Sequence, residues 1–307
     1  MTRALAALAA LVAACALPGC AAAPRADRLP APAPAPAAFV PPQLAGMQYL
    51  YGSGEAAAIS RQAWAALVDH VAGRIGGKDR SGVVLAADAT LAAPRFVPCG
   101  PKPPAVVFDV DETVLLNLGV EAEDLRRTIA EGQARPFDSA RWDRWEKTGA
   151  AAVAPAPGAR AALEALRAMG IAVVFNSNRS AANAAATEAA LDGAGLGPAR
   201  HGETLYLMGD DATGSRKDLR RQAIAARFCV VAMGGDQLGD FSDLFRIPNL
   251  AERRAATGLP GIAPLWGHGW FLLPNPVYGS ALAGGIEDIF PADKRWRDPA
   301  AAQEGER

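Results

Sequence analysis

Net charge is almost absent from this chain. Its 307 residues carry 31 Lys and Arg against 32 Asp and Glu, a formal net charge of −1. That balance gives no basic face of the kind that grips a nucleic-acid backbone, so no nucleic acid polymer is expected as a partner. Lysine is scarce beside arginine, and alanine is abundant, a bias that fits a GC-rich genome rather than a function. The N-terminal apolar stretch, Ala4 to Leu17, is too short to span a bilayer as a permanent helix. Cysteine is sparse: of four, only Cys99 and Cys229 lie beyond the N-terminal segment. An oxidising compartment permits a disulfide between them, and two buried thiols are the alternative. No internal repeat and no second linker interrupts the chain from about Met47 onward. With 50% hydrophobic residues, that length can bury a sizeable core.

What is present begins at the N-terminus. Arg3, the apolar stretch and a small-residue end have the layout of a signal peptide over residues 1–19. Leu17-Pro18-Gly19-Cys20 resembles a bacterial lipobox, which implies lipidation at Cys20. VAAC, ending at Cys15, is a competing match that leaves a very short apolar core, and an ordinary secretory signal cut near Ala22 is the other alternative. Ala21, rather than Asp, follows Cys20, which by the same resemblance favours the bacterial outer membrane or periplasm. Residues 20–46 hold an alternating Ala-Pro run that favours extended chain and builds no core, so they read as a tether. Contact with the membrane is expected through the N-terminal lipid only.

Three apolar runs in the remainder carry β-branched or aromatic residues: Ala105–Asp111, Ile171–Asn178 and Phe228–Asp236. Thr204–Asp211 is an additional strand candidate. Helical spacing marks Glu55–Ile75, Gly158–Gly170 and Ser180–Gly195. The alternation predicts an α/β fold, a Rossmann-like parallel sheet with helices on both faces. Ligands of such sheets bind beyond the carboxyl ends of the strands. Asp109 and Asp111, then Ser177-Asn178-Arg179, then Gly234–Asp240 all fall at that edge.

Crowded carboxylates repel one another and stay ionised together only around positive charge. Asp109, Asp236 and Asp240 would hold a hard divalent cation, and Mg2+ suits oxygen ligands with room left for phosphate and water. Singly, each acid would read as a helix cap or a solvated loop residue; three at matching strand ends argue for a metal site. DVDETV (109–114) matches the DxDxT signature of the haloacid-dehalogenase-like phosphohydrolases. FNSNRS (175–180) resembles their second motif and GGDQLGDF (234–241) their fourth. PFDSARWDRW (136–145) and FLLPNPVYGS (271–280) narrow the likeness to the bacterial class C acid phosphatases, often outer-membrane lipoproteins and some of them 5′-nucleotidases. The resemblance spans about Gln48 to Ser280, within a domain placed at 47–300.

The resemblance implies that Asp109 is the nucleophile and forms an aspartyl-phosphate. Asp111 is then the general acid that protonates the leaving alcohol and later activates water, and an acidic pH optimum would suit it. Asp236 and Asp240 join Asp109 as metal ligands, with the backbone carbonyl of Asp111. Ser177 donates to a phosphate oxygen, or caps a helix. The third motif needs a cation, and Lys217 is the only lysine between Asn178 and Gly234. Asn178 and Arg179 line the site by resemblance, though Arg179 also fits a pairing with a structural acid. Residues 117–157 form an insertion expected to fold as a small helical lid. There Trp142, with Tyr278 from the tail motif, is expected to stack on a nucleobase; a core role is the alternative for each. The family's tail continues with a Trp after Tyr-Gly, whereas this chain reads YGSALAGG. Phosphate monoesters, nucleoside 5′-monophosphates among them, are the expected substrates. A phosphotransferase using the same intermediate and a non-catalytic surface binding lipoprotein are the rival readings.

Overall fold

The computed structural model describes residues 40–75 and 81–296. The signal segment, Cys15, Cys20, the tether up to residue 39 and the tail beyond 296 lie outside the described residues. All of the described chain belongs to one unit that begins at Phe39. Helices α1 (Leu44–Met47) and α2 (Gly54–Ile75) come first. Strands β1 (Ser81–Leu85) and β2 (Phe96–Pro98) form an antiparallel hairpin. After β3 (Pro104–Phe108), the short strands β4 (Leu115–Leu116) and β5 (Ala154–Pro155) pair antiparallel and bracket helices α3 (Leu118–Glu131) and α4 (Ser139–Thr148). The chain continues through α5 (Ala159–Ala168), β6 (Ala172–Ser180), α6 (Ala184–Gly193), β7 (Leu205–Met208), α7 (Asp218–Arg227), β8 (Cys229–Gly235), α8 (Leu250–Ala256) and β9 (Trp270–Leu272). No described helix is long and apolar enough to cross a membrane.

The main sheet has the order β7-β6-β3-β8-β9, and every neighbouring pair is parallel. Its strands are apolar on both sides because both faces are covered. Val106, Phe108, Val173, Phe175 and Val231 enter one core, and Ala105, Val107, Val174, Val230 and Met233 enter the other. Helix α2 buries Ala56, Ser60, Trp64, Leu67 and Val71, spaced three and four apart, and Trp64, Leu67 and Val71 join the first core. The chain leaves central β3 for β6 and β7 on one side, then returns to place β8 and β9 on the other. The order reverses at β3, and a crevice opens at that point beyond the strand ends.

Two boundaries differ from the sequence expectation. Strand β6 runs on to Ser180, with an irregular register after Asn176, so the second polar cluster lies within its end rather than past it. Helix α6 starts at Ala184 because Ser180 caps a preceding 3-10 turn, Ala181–Asn183, accepting from the Ala182 amide. The β1–β2 hairpin and β9 have too few residues to show a period. Cys99 and Cys229 form a disulfide that ties the segment after β2 to the first residue of β8.

Candidate active site

Asp109 follows β3 directly, and its amide donates to the Gly234 carbonyl of β8 at 3.0 Å. That bond carries the parallel ladder one residue past the strand and sets Asp109 beside the loop after β8. Asp109, Asp236 and Asp240 each offer a carboxylate oxygen, all within 4.8 Å of one another. The paired glycines of GGD make this approach possible. A Cβ on Gly234 would meet the Phe108 ring at 2.7 Å, and one on Gly235 would collide with the Asp240 side chain, its Oδ2 2.6 Å away.

Lys217, at the N-terminal end of α7, is buried and donates from Nζ to Asp109 Oδ1 and, at 2.7 Å, to Asp240 Oδ1. Burial alone would lower the lysine's pKa; the two carboxylates outweigh it and hold the ammonium above its usual range. Asp236 accepts from Thr113 Oγ1 (3.1 Å), Gln237 Nε2 (3.0 Å) and Asn275 Nδ2 (2.8 Å), and Asp240 Oδ2 accepts from the Gln237 amide at 2.8 Å. Asp109 Oδ2 receives no hydrogen bond among the described residues. Burial, followed by Asp240, pushes Asp236 up to about 7. Burial likewise lifts Asp109 well above the usual carboxylate range, against the pull of Lys217. Five carboxylates (Asp109, Asp111, Glu112, Asp236, Asp240) thus face two paired cations, Lys217 and Arg179. The all-oxygen donor set, the open Asp109 oxygen and the shortage of positive charge fit a hard divalent cation.

Asp111 stands apart from the three. Its Oδ1 accepts from Arg179 Nη2 (2.7 Å), Arg179 Nε (2.9 Å) and Asn117 Nδ2 (2.9 Å), whereas Oδ2 has only a longer contact to Arg179 Nε, 3.2 Å. The nearest charge to Asp111 is therefore the Arg179 guanidinium. Arg179 is almost fully buried, and Asp111 is its acid. Ser177 is fully buried; its Oγ accepts from the Arg179 amide at 3.1 Å and donates to no atom of the described residues. Asn178 is held between Ser215 O, 3.1 Å from its Nδ2, and Arg220 Nη2, 2.7 Å from its Oδ1.

Asp109, Asp111, Asn178, Lys217, Asp236 and Asp240 line one cleft of about 1110 Å³, together with Trp142 and Tyr278. Ser177 and Arg179 lie behind its lining. Trp142 packs loosely on Phe137, ring centroids 6.2 Å apart, while Trp145 turns inward and donates to Asn117 Oδ1 at 3.2 Å. Helix α4 is fastened by buried Glu146, which accepts from the Ser180 amide and from Asn183 Nδ2 at 2.7 Å.

Sequence reasoning missed Glu112. It is buried at φ 52°, a left-handed conformation that bulky residues adopt only under tertiary constraint. Its carboxylate accepts from the Asn117 amide (2.8 Å), Tyr51 Oη (3.2 Å) and Tyr278 Oη. It joins the start of the domain, the first motif and the tail. Burial, then Asp111, pushes Glu112 up to about 7. Thr113, Gln237 and Asn275, which hold Asp236, were also missed, although each sits inside a quoted motif.

Comparison with known proteins identifies the arrangement. The family model described as HAD superfamily, subfamily IIIB (acid phosphatase) matches residues 54–281. The chain belongs to that family. Two solved structures of the class C acid phosphatase from Bacillus anthracis share the fold of this phosphatase. One is 22% identical with a TM-score of 0.61, and the other, with tungstate bound, is 23% identical with a TM-score of 0.59. Each alignment covers 85% of this chain and 93% of the other. A search of curated proteins found no match.

Proposed function

We propose that this phosphatase hydrolyses phosphate monoesters, preferring nucleoside 5′-monophosphates, with Asp109 as nucleophile and Asp111 as acid and then base. The observation that carries the reading is the meeting of Asp109, Asp236, Asp240 and Lys217 in a cleft that Asp111 also lines. Asp109 attacks phosphorus as the ester P–O bond breaks, and Asp111 gives its proton to the departing oxygen, so a neutral alcohol leaves. In this reading Asp111 Oδ2 carries that proton, which its single long contact to Arg179 supports. The ionised Asp111 then takes a proton from a water that attacks the aspartyl-phosphate, releasing phosphate and restoring Asp109. Lys217, charged and fixed between Asp109 and Asp240, sets positive charge beside the transferring group. A divalent cation held by Asp109, Asp236 and Asp240, for which magnesium fits best, would neutralise phosphate oxygens. Ser177 keeps a hydroxyl hydrogen for one of those oxygens.

The rings of Trp142 and Tyr278 offer a nucleobase flat apolar surface. The Tyr278 ring is fixed, since its hydroxyl is spent on Glu112. Lipidation at Cys20 would hold the enzyme at the outer membrane or in the periplasm; a Cys20→Ser chain that still partitions with membranes would argue against it. The main test is turnover of AMP and glycerol phosphate with and without a chelator. Metal-dependent hydrolysis, faster for AMP and abolished by Asp109→Asn, is expected. Turnover that survives Asp109→Asn ends the mechanism, and equal kcat/KM for the two esters ends the nucleotide preference.

A further inference from the structure

Among the described residues, Arg253 is a cation with no counter-ion. It stands on α8, where its Nε donates to the Phe245 carbonyl at 3.3 Å and its Nη2 to Ser280 Oγ at 2.9 Å. No carboxylate pairs with it among the described residues, and burial alone shifts its pKa, downward, with no acid pushing back. A guanidinium has five N–H donors. Two are spent and three remain. The side chain is half-buried and lines the same cleft as Asp109 and Lys217. Arg246, next in sequence to Phe245, differs: it pairs with Asp243 at 3.3 Å and donates to the Ser215 carbonyl at 2.6 Å.

Three hydrogen bonds connect Arg253 to the carboxylate cluster along one wall. Arg253 donates to Ser280 Oγ, Ser280 Oγ donates to Gln237 Oε1 at 3.3 Å, and Gln237 Nε2 donates to Asp236 Oδ2 at 3.0 Å. Ile247, Pro248 and Leu250 add apolar lining near Arg253. Asp109 and Arg253 line one cleft, so the two ends of one bound molecule have a cation each to meet, Lys217 and Arg253. A partly desolvated Arg fork matches the paired oxygens of a phosphate or a carboxylate.

We propose that Arg253 forms a second anion subsite, and that preferred substrates carry a further phosphate or carboxylate besides the phosphate that is cleaved. The inference rests on the phosphatase reading above. Its test is a ratio, so general damage to the enzyme cancels. kcat/KM is measured for adenosine 3′,5′-bisphosphate against AMP, and for 4-carboxyphenyl phosphate against phenyl phosphate, in the native enzyme and in Arg253→Gln. The native enzyme should favour the doubly anionic member of at least one pair. Arg253→Gln should cut that preference by roughly tenfold or more, the range expected for one charge-assisted hydrogen-bonded contact, and Arg253→Lys should restore part of it. Preference in the first pair alone assigns a phosphate, and in both pairs any anion.

Equal rates within both pairs in the native enzyme overturn the proposal. So does a ratio that Arg253→Gln leaves unchanged, which would make the residue only a fastener between Phe245 and Ser280. Calorimetric Kd values for the bisphosphate and AMP, read in both proteins, give the same ratio without turnover. A dead enzyme that still shows the Arg253-dependent Kd difference would count against the catalytic reading and for the subsite.

Discussion

Asp111 is held by one oxygen and left open at the other. Arg179 and Asn117 saturate Oδ1, so the side chain cannot rotate freely, while Oδ2 is available to exchange a proton with substrate or water. Asp111→Asn keeps the shape and removes the proton. Its cost should depend on the leaving group: on the order of 10²–10⁴-fold for an alkyl phosphate, as for loss of a general acid, and much less in the first step for p-nitrophenyl phosphate. A stopped-flow burst of nitrophenolate followed by slow turnover is expected, because the second step also loses its base. Equal losses for both leaving groups would remove Asp111 from proton transfer. Gly235 acts at the same scale. Gly235→Ala drives a methyl into Asp240 and should weaken divalent-cation binding by about tenfold or more, as loss of a well-placed ligand or its support does, while circular dichroism reports an intact sheet. Unchanged calorimetric affinity would mean that Asp240 is not a ligand.

Among the elements, α4 joins the helices inserted between β4 and β5 to the end of β6. Glu146 on its inner face holds the Ser180 amide and Asn183, and Trp142, four residues earlier, lies one turn away in the cleft lining. Trp142→Ala should therefore raise KM for AMP several-fold to about tenfold, the worth of one stacked base at the low end, and leave KM for glycerol phosphate nearly unchanged; equal effects on both esters would assign Trp142 to packing of the inserted helices. The strands and the acids at their ends were legible in the sequence because each motif follows an apolar run of the right length. Asp109 and Asp236 follow those ends, and the paired glycines before Asp236 let Asp240 close on them. The Glu112 clamp was not legible, since its partners Tyr51 and Tyr278 stand 61 and 166 residues away and no local period encodes them. The Arg179–Asp111 pair was half legible. An acid partner was foreseen for the arginine, but Asp111, the proposed general acid, fills that place, because β6 runs on past Asn178 and carries Arg179 with it.

At the scale of the whole molecule, the buried acids make folding, protons and metal one linked equilibrium. Asp236 and Glu112 ordinarily titrate near 3.8 and 4.5, and the fold lifts both to about 7. A raised acid pKa means that the folded state holds protons which the unfolded state has already released. Between those limits the unfolded chain binds fewer protons, so the slope of unfolding free energy with pH is negative. The contribution of these two groups is complete below their ordinary values and is lost as pH rises through about 7, a change on the order of a few kcal/mol. Metal binding runs against this, because a divalent cation needs Asp236 ionised and competes with its proton. Melting the protein with a chelator should show Tm falling from about pH 4.5 to about pH 7, and added magnesium should raise Tm far more at the upper end than at the lower. A chelated protein whose Tm climbs across that range would show that the carboxylates sit ionised and satisfied without a cation. That result would dissolve the case for a metal centre, since the shortage of positive charge beside Asp109 is what the cation would relieve.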